Sequence, residues 1–102
     1  MLVRIVRMQF AEEKVESFKK LFAETYVRIR NFDGCQFLEL YEDSPATNIF
    51  YTISKWENET KLETYRNSAL FNETWKLTKA CFSGPPVAYS LVKKVEDLTN
   101  PF

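Results

Sequence analysis

With 102 residues and 14 basic side chains balanced by 14 acidic ones, the chain amounts to one domain of no net charge. A neutral chain has no basic footprint, which argues against nucleic acid and anionic membrane as partners. Apolar residues at 45% and charged residues at 27% match an ordinary soluble globular protein, and no apolar run approaches the roughly 18 residues of a membrane span.

The start, Met1-Leu2-Val3-Arg4-Ile5-Val6-Arg7, lacks the long apolar stretch of a signal peptide, so the expected compartment is the cytoplasm. Cys35 and Cys81 fit that compartment. They stand far apart in no metal-type spacing and read as reduced small hydrophobes, with a disulfide or redox pair as the alternative.

Residues 2 to 10 are short and rich in β-branched side chains, the mark of a strand. One parity carries Leu2, Val6, Met8 and Phe10, interrupted by Arg4. The other carries Val3 and Ile5 before turning polar at Arg7 and Gln9. From Glu12 to Arg30, Val15, Phe18, Phe22, Tyr26 and Ile29 recur at helical spacing. The acidic start and basic end of this segment suit the helix dipole. Gly34 offers the positive φ that a helix exit or tight turn needs.

Residues 35 to 42 predict a second strand, 43 to 48 a turn, and 49 to 56 a third strand, so the pair forms an antiparallel hairpin. Asn58 is a candidate N-cap for a short helix to Arg66, with Leu62 and Tyr65 inward. Ser68 is a candidate cap for a second segment from Ala69 to about Phe82, ended by Gly84-Pro85-Pro86. Residues 87 to 95 predict a fourth strand. The expected domain is therefore 1–95, with a C-terminal tail at 96–102.

The order is β-α-β-β-α-β with the second helix split, the ferredoxin-like arrangement of the α+β class. Helices cover only one face of such a sheet. These strands are apolar on both parities, so Val3, Ile5, Phe37, Phe50 and Tyr89 are not all covered by helices together with Leu2, Val6, Leu38, Ile53 and Val92. A bare apolar face is an association surface, and pairing two copies about a twofold axis removes it.

The start Leu2-Val3-Arg4-Ile5-Val6-Arg7-Met8, the segment from Phe50 to Asn58, and the run Tyr65-Arg66-Asn67-Ser68-Ala69-Leu70-Phe71 resemble the antibiotic biosynthesis monooxygenase family. Its characteristic stretch is a strand ending in Trp-Glu, a short helix, an aromatic, Ser-x-x-Phe, then a helix. The resemblance spans about residues 2 to 95. It implies a homodimer in which two sheets form a dimeric α+β barrel with helices outside. It also implies one of several chemistries: cofactor-independent oxygenation of polycyclic phenols, quinol oxygenation, or haem degradation. In several enzymes of the family a His in the helix after Ser-x-x-Phe is functional; four residues after Phe71 this chain has Trp75. Haem-degrading members carry a Trp where Tyr65 stands, and a strand-one Asn where Arg7 or Met8 stands.

The chain contains no histidine. A His-ligated haem and the commonest general base are thereby removed, and neither zinc nor iron ligation is expected. The expectation is no cofactor and no metal. A cofactor-independent oxygenase needs a flat, electron-rich substrate held as its anion away from water, for which aromatic walls and a few polar groups suffice. The nine Phe, five Tyr and two Trp supply such walls.

The expected pocket lies between the sheet and the split helix. Arg7, Tyr65 and Trp75 are the catalytic candidates, with Tyr51, Trp56 and Phe71 as substrate-binding candidates for a small aromatic. Each has a plainer role. Trp56 packs hairpin against helix, Trp75 fills core, Tyr65 divides between core and pocket, and Arg7 pairs with a carboxylate such as Glu39 across the sheet. The competing function is a non-catalytic dimeric ligand-binding or accessory module.

Overall fold

The β-branched run at the start forms β1, Leu2–Gln9, and the whole chain follows the order read from its periodicities. The structure, a computed structural model, describes residues 1–94. After β1 comes α1, Val15–Arg30, then the hairpin of β2, Cys35–Glu42, and β3, Ile49–Trp56. Two short helices follow, α2, Glu59–Arg66, and α3, Ala69–Lys79, and the last described strand is β4, Val87–Val92. The strands form one antiparallel sheet in the order β2-β3-β1-β4. No helix among the described residues is long and apolar enough to cross a membrane.

Local chemistry accounts for two shifts of element ends. Ala11 has no side-chain oxygen to cap a helix, so Glu12–Lys14 is a 3₁₀ turn and α1 starts at Val15. The expected helix to Phe82 stops at Lys79 because the chain beyond it joins the end of β1. Ala11 donates to the Cys81 carbonyl at 3.0 Å and Ser83 to the Gln9 carbonyl at 2.9 Å, while Phe10 and Phe82 form an isolated antiparallel bridge. β4 ends at Val92; Val95 and the tail 96–102 lie outside the described residues.

Cross-strand partners share a face, so the register sorts the side chains. Met8 pairs with Phe50 and Ile5 with Ile53. Phe50 thus joins Leu2, Val6 and Leu38 beneath the helices, and Ile53 joins Val3, Ile5, Phe37 and Tyr89 on the open face. The expected grouping had these two exchanged. The expected Arg7–Glu39 pair is also corrected by strand order. β1 touches β3 and β4, so Arg7 lies opposite Tyr51 and Val87, while Glu39 lies opposite Ile53 and accepts from the Tyr41 hydroxyl.

The helix-covered side holds two packed groups. Leu2, Ile29, Cys35, Leu38, Trp56 and Leu62 form one; Met8, Phe10, Phe18, Phe50 and Cys81 form the other. Half-buried Phe22 touches both. The cysteines are buried, free and in different groups, which is the reading of them as small hydrophobes.

Gly34 links α1 to β2 with φ +90°, and an added Cβ would clash with the base of the Lys61 side chain. Gly34→Ala is expected to cost about 1–3 kcal/mol of stability, measured as a lower urea midpoint with unchanged slope.

Candidate active site

The second crossover is split by its capping chemistry. The Asn58 side chain accepts from Lys61 N at 2.9 Å and starts α2; the Ser68 side chain accepts from Phe71 N at 3.1 Å and starts α3. Ser68 Oγ also donates to the Tyr65 carbonyl at 2.6 Å, so one hydroxyl ties the end of α2 to the beginning of α3. That junction sets the angle between the helices and brings Tyr65 edge-on to Phe71, with ring centres 5.2 Å apart.

From this junction a run of rings extends in both directions. Tyr65 stacks on Trp56 at 4.9 Å, and Phe71 lies near-parallel to Trp75 at 5.8 Å. Trp75 meets Phe82 edge-on at 5.6 Å. Trp56 is 1% exposed, and its indole N–H donates to Ser54 Oγ at 3.0 Å. Its ring is therefore fixed from the sheet side, as aromatic packing with a satisfied polar handle requires.

The helices do not close fully on the sheet. A cavity of about 320 Å³ remains between them, at the small end of the range for small-molecule sites. Arg4, Val6 and Met8 of β1 and Thr52, Ser54 and Trp56 of β3 form its floor. α2 contributes Leu62, Tyr65 and Arg66, and α3 contributes Phe71, Thr74, Trp75 and Thr78. Phe18, Phe22 and Ile29 of α1 close one side, and Pro86 and Ala88 approach from β4.

Four of the six residues singled out from sequence, Tyr65, Trp75, Trp56 and Phe71, thus meet around one space. Arg7 and Tyr51 do not. Adjacent strand residues point to opposite faces, and these two stand opposite each other on the open side of the sheet. The cation at the cavity is Arg4 instead, whose Nη1 donates to Ser90 Oγ on β4 at 2.9 Å. The signal for it was present in the sequence, as the one charged residue interrupting the apolar parity of the first strand. Arg66, also unread at the sequence level, joins Arg4 at the cavity and pairs with Glu63 at 3.0 Å.

Burial, and to a lesser degree the nearby Cys35 thiol, pushes the Tyr65 phenol far above its ordinary value. Tyr65 is a hydrogen-bond donor throughout the physiological range and not a phenolate base. Burial also lowers the Arg4 pKa, Arg66 adds to the effect, and Glu63 partly offsets it. Arginine nevertheless stays charged in proteins. Burial likewise raises the Cys35 thiol, which makes it a poor nucleophile. Among the described residues no three His, Cys, Asp or Glu side chains cluster as metal ligands.

Residues 1–76, from β1 through most of α3, match the family described as antibiotic biosynthesis monooxygenase. The chain belongs to that family. The antibiotic biosynthesis monooxygenase match takes in Arg4, Trp56, Tyr65, Arg66, Phe71 and Trp75, and ends before Thr78, Pro86 and Ala88. Solved structures share the fold. A conserved protein from Methanosarcina mazei Go1 is 23% identical with a TM-score of 0.86, over 92% of this chain and 94% of that one. A crystal structure of an antibiotic biosynthesis monooxygenase is 18% identical with a TM-score of 0.87, over 93% of this chain and 100% of that one. Rv0793 from Mycobacterium tuberculosis is 17% identical with a TM-score of 0.85, over 93% and 96%. No curated protein matches. The ferredoxin-like α+β arrangement expected from the strand and helix order is the fold of this family member.

Proposed function

We propose that the chain is a cofactor-independent monooxygenase of small phenol- or quinol-type aromatics, working as a homodimer in the cytoplasm. The observation that carries this reading is the cavity walled by Trp56, Tyr65, Phe71 and Trp75 with a guanidinium at its side. Stacked walls hold a flat ring. Arg4 favours the substrate's anion, because an opposite charge nearby stabilises the deprotonated form. The anion passes one electron to dioxygen, and the resulting radical pair combines as a carbon-bound hydroperoxide. Where that carbon began as a methylene between phenolic rings, loss of water leaves a carbonyl. One oxygen atom stays on the product and the other departs as water, so the substrate supplies both electrons that an external reductant would otherwise provide. The Tyr65 phenol contributes a hydrogen bond to the developing oxygen anion.

Oxygen uptake with anthrones and hydroquinones tests this. Turnover is expected, reduced on the order of 10²-fold in Tyr65→Phe, the loss typical of removing one donor to a developing oxyanion. No uptake across such a panel, with binding retained, favours the second reading, a non-catalytic ligand-binding module. The observation behind that second reading is the chemistry of the cavity itself: it holds no histidine, and its one phenol is held protonated.

The dimer rests on the open face of the sheet. Val3, Ile5, Phe37 and Ile53 stand there beside Tyr89 and Leu91, which are 54% and 47% exposed. Every residue of β4 is exposed. An apolar face of this kind is an association surface. Its charged side chains, Arg7, Lys55 and Glu39, include both signs, so a twofold axis sets the face against its own complement.

A further inference from the structure

The cavity holds a cation with no direct ion pair among the described residues, Glu63 acting on it only from a distance. Arg4 is half-buried in a row with Leu2, Val6 and Met8, and the sheet gains nothing by placing a charge there unless that charge is compensated. Its hydrogen bond goes to a neutral hydroxyl, Ser90 Oγ, and among the described residues it makes no ion pair. Arg66 lies at the same cavity, and its partner Glu63 sits one turn back on the same helix with a side chain 54% exposed. Exposed pairs of this kind are weak, so the remaining guanidinium donors of Arg66 are available. Because Arg66 is exposed, the pair reaches the solvent side of the cavity.

Burial first and the like charge of Arg66 second make the charged form of Arg4 harder to keep, and Glu63 offsets this only in part. An anion between them removes that cost, and a carboxylate matches the planar fork of a guanidinium.

We propose that Arg4 and Arg66 form an anion subsite at the solvent side of the cavity, and that the ligand is a planar aromatic carrying a carboxylate. The carboxylate lies on the two guanidiniums and the rings lie against the wall of Tyr65, Phe71 and Trp75. A cavity of about 320 Å³ suits a body of roughly two fused rings with its carboxylate. This rests on the cavity being the ligand site and not on its being an oxygenase site, since recognition of the carboxylate precedes any reaction.

Calorimetric titration with 2-naphthoate and its methyl ester separates the two. Neither probe is a phenol or quinol, so only binding is read. Naphthoate is expected to bind at least about tenfold tighter than the ester, the value of a charge-assisted contact. That preference is expected to vanish in Arg4→Gln, to shrink in Arg66→Gln, and to persist in the charge control Lys76→Gln. Raising salt from about 50 to 500 mM should weaken naphthoate and leave the ester unchanged. Should Arg4→Gln fail to fold, the solvent-reaching Arg66→Gln and the salt series on the unaltered protein decide. Equal binding of acid and ester, or a preference that survives in both Arg variants, overturns the subsite while leaving the aromatic cavity as a ligand site. Absence of binding by either probe overturns the subsite and the cavity reading together.

Discussion

Ile5→Asp is expected to abolish the proposed self-association and leave folded monomers. Ile5 lies at the middle of the open face, with Ile53 opposite it on one neighbouring strand and Tyr89 on the other. In a twofold interface each substitution enters twice. A carboxylate buried there without a partner costs several kcal/mol per ion after relaxation, against an association that depends on covering Val3, Phe37, Ile53 and Tyr89. The side chain points away from Leu2, Val6 and Met8, so the helix-covered core keeps its packing and the far-ultraviolet spectrum should not change. Sedimentation equilibrium over a hundredfold range of concentration makes the measurement. A parent protein that is monomeric throughout, or a variant that dimerises as tightly as the parent, would sink the twofold arrangement.

Trp56→Ala is expected to cost about 3–5 kcal/mol, the range for removing a large buried aromatic. That is a major fraction of the roughly 5–15 kcal/mol by which a domain is stable. Trp56 is 1% exposed, joins β3 to α1 and α2 through Ile29 and Leu62, and supports Tyr65 by stacking at 4.9 Å. Its removal takes away contacts on every side and leaves Ser54 Oγ without its indole donor. Trp56→Phe keeps most of the packing and loses the hydrogen bond, so it should lose less than half as much. Urea unfolding of the two variants checks both values. A loss below about 1 kcal/mol for the alanine variant would mean that the surrounding residues collapse into the space.

The distribution of elements was legible because period and punctuation agree along the chain. Asn58, Ser68 and Gly34 each do locally what their residue type suggests: two cap helices and one adopts a positive φ. Alternation within a strand was equally plain. What it does not carry is the relation between strands. Phe50 and Ile53 belong to opposite faces of one strand, and only the register with Met8 and Ile5 says which is which. That register is pinned where β1 ends, by Phe10 N donating to the Asn48 carbonyl at 2.9 Å and the Asn48 side-chain amide donating to the Phe10 carbonyl at 3.0 Å, bonds that no pattern in residues 43 to 48 specifies. The same gap led to Arg7 where Arg4 stands. Parity offered both, and the apolar company of Arg4 was the better guide. The cavity itself is a difference between the space enclosed by the helices and the volume of the rings within it. The helix angle fixed at Ser68 decides that difference, and composition does not.

The alternation of β1 has an evolutionary consequence. Its even-numbered residues, among them Arg4, Val6 and Met8, line the chamber beneath the helices, while Val3, Ile5 and Arg7 look outward from the same eight-residue segment. Under the proposed function, ligand preference and self-association are thus written in interleaved letters on a single strand. A lineage that replaces even letters can retune what it captures without disturbing how its copies meet, and replacing odd letters does the reverse. An insertion or deletion of one residue would exchange the two texts at once, so this strand is expected to tolerate substitution far better than any change of length.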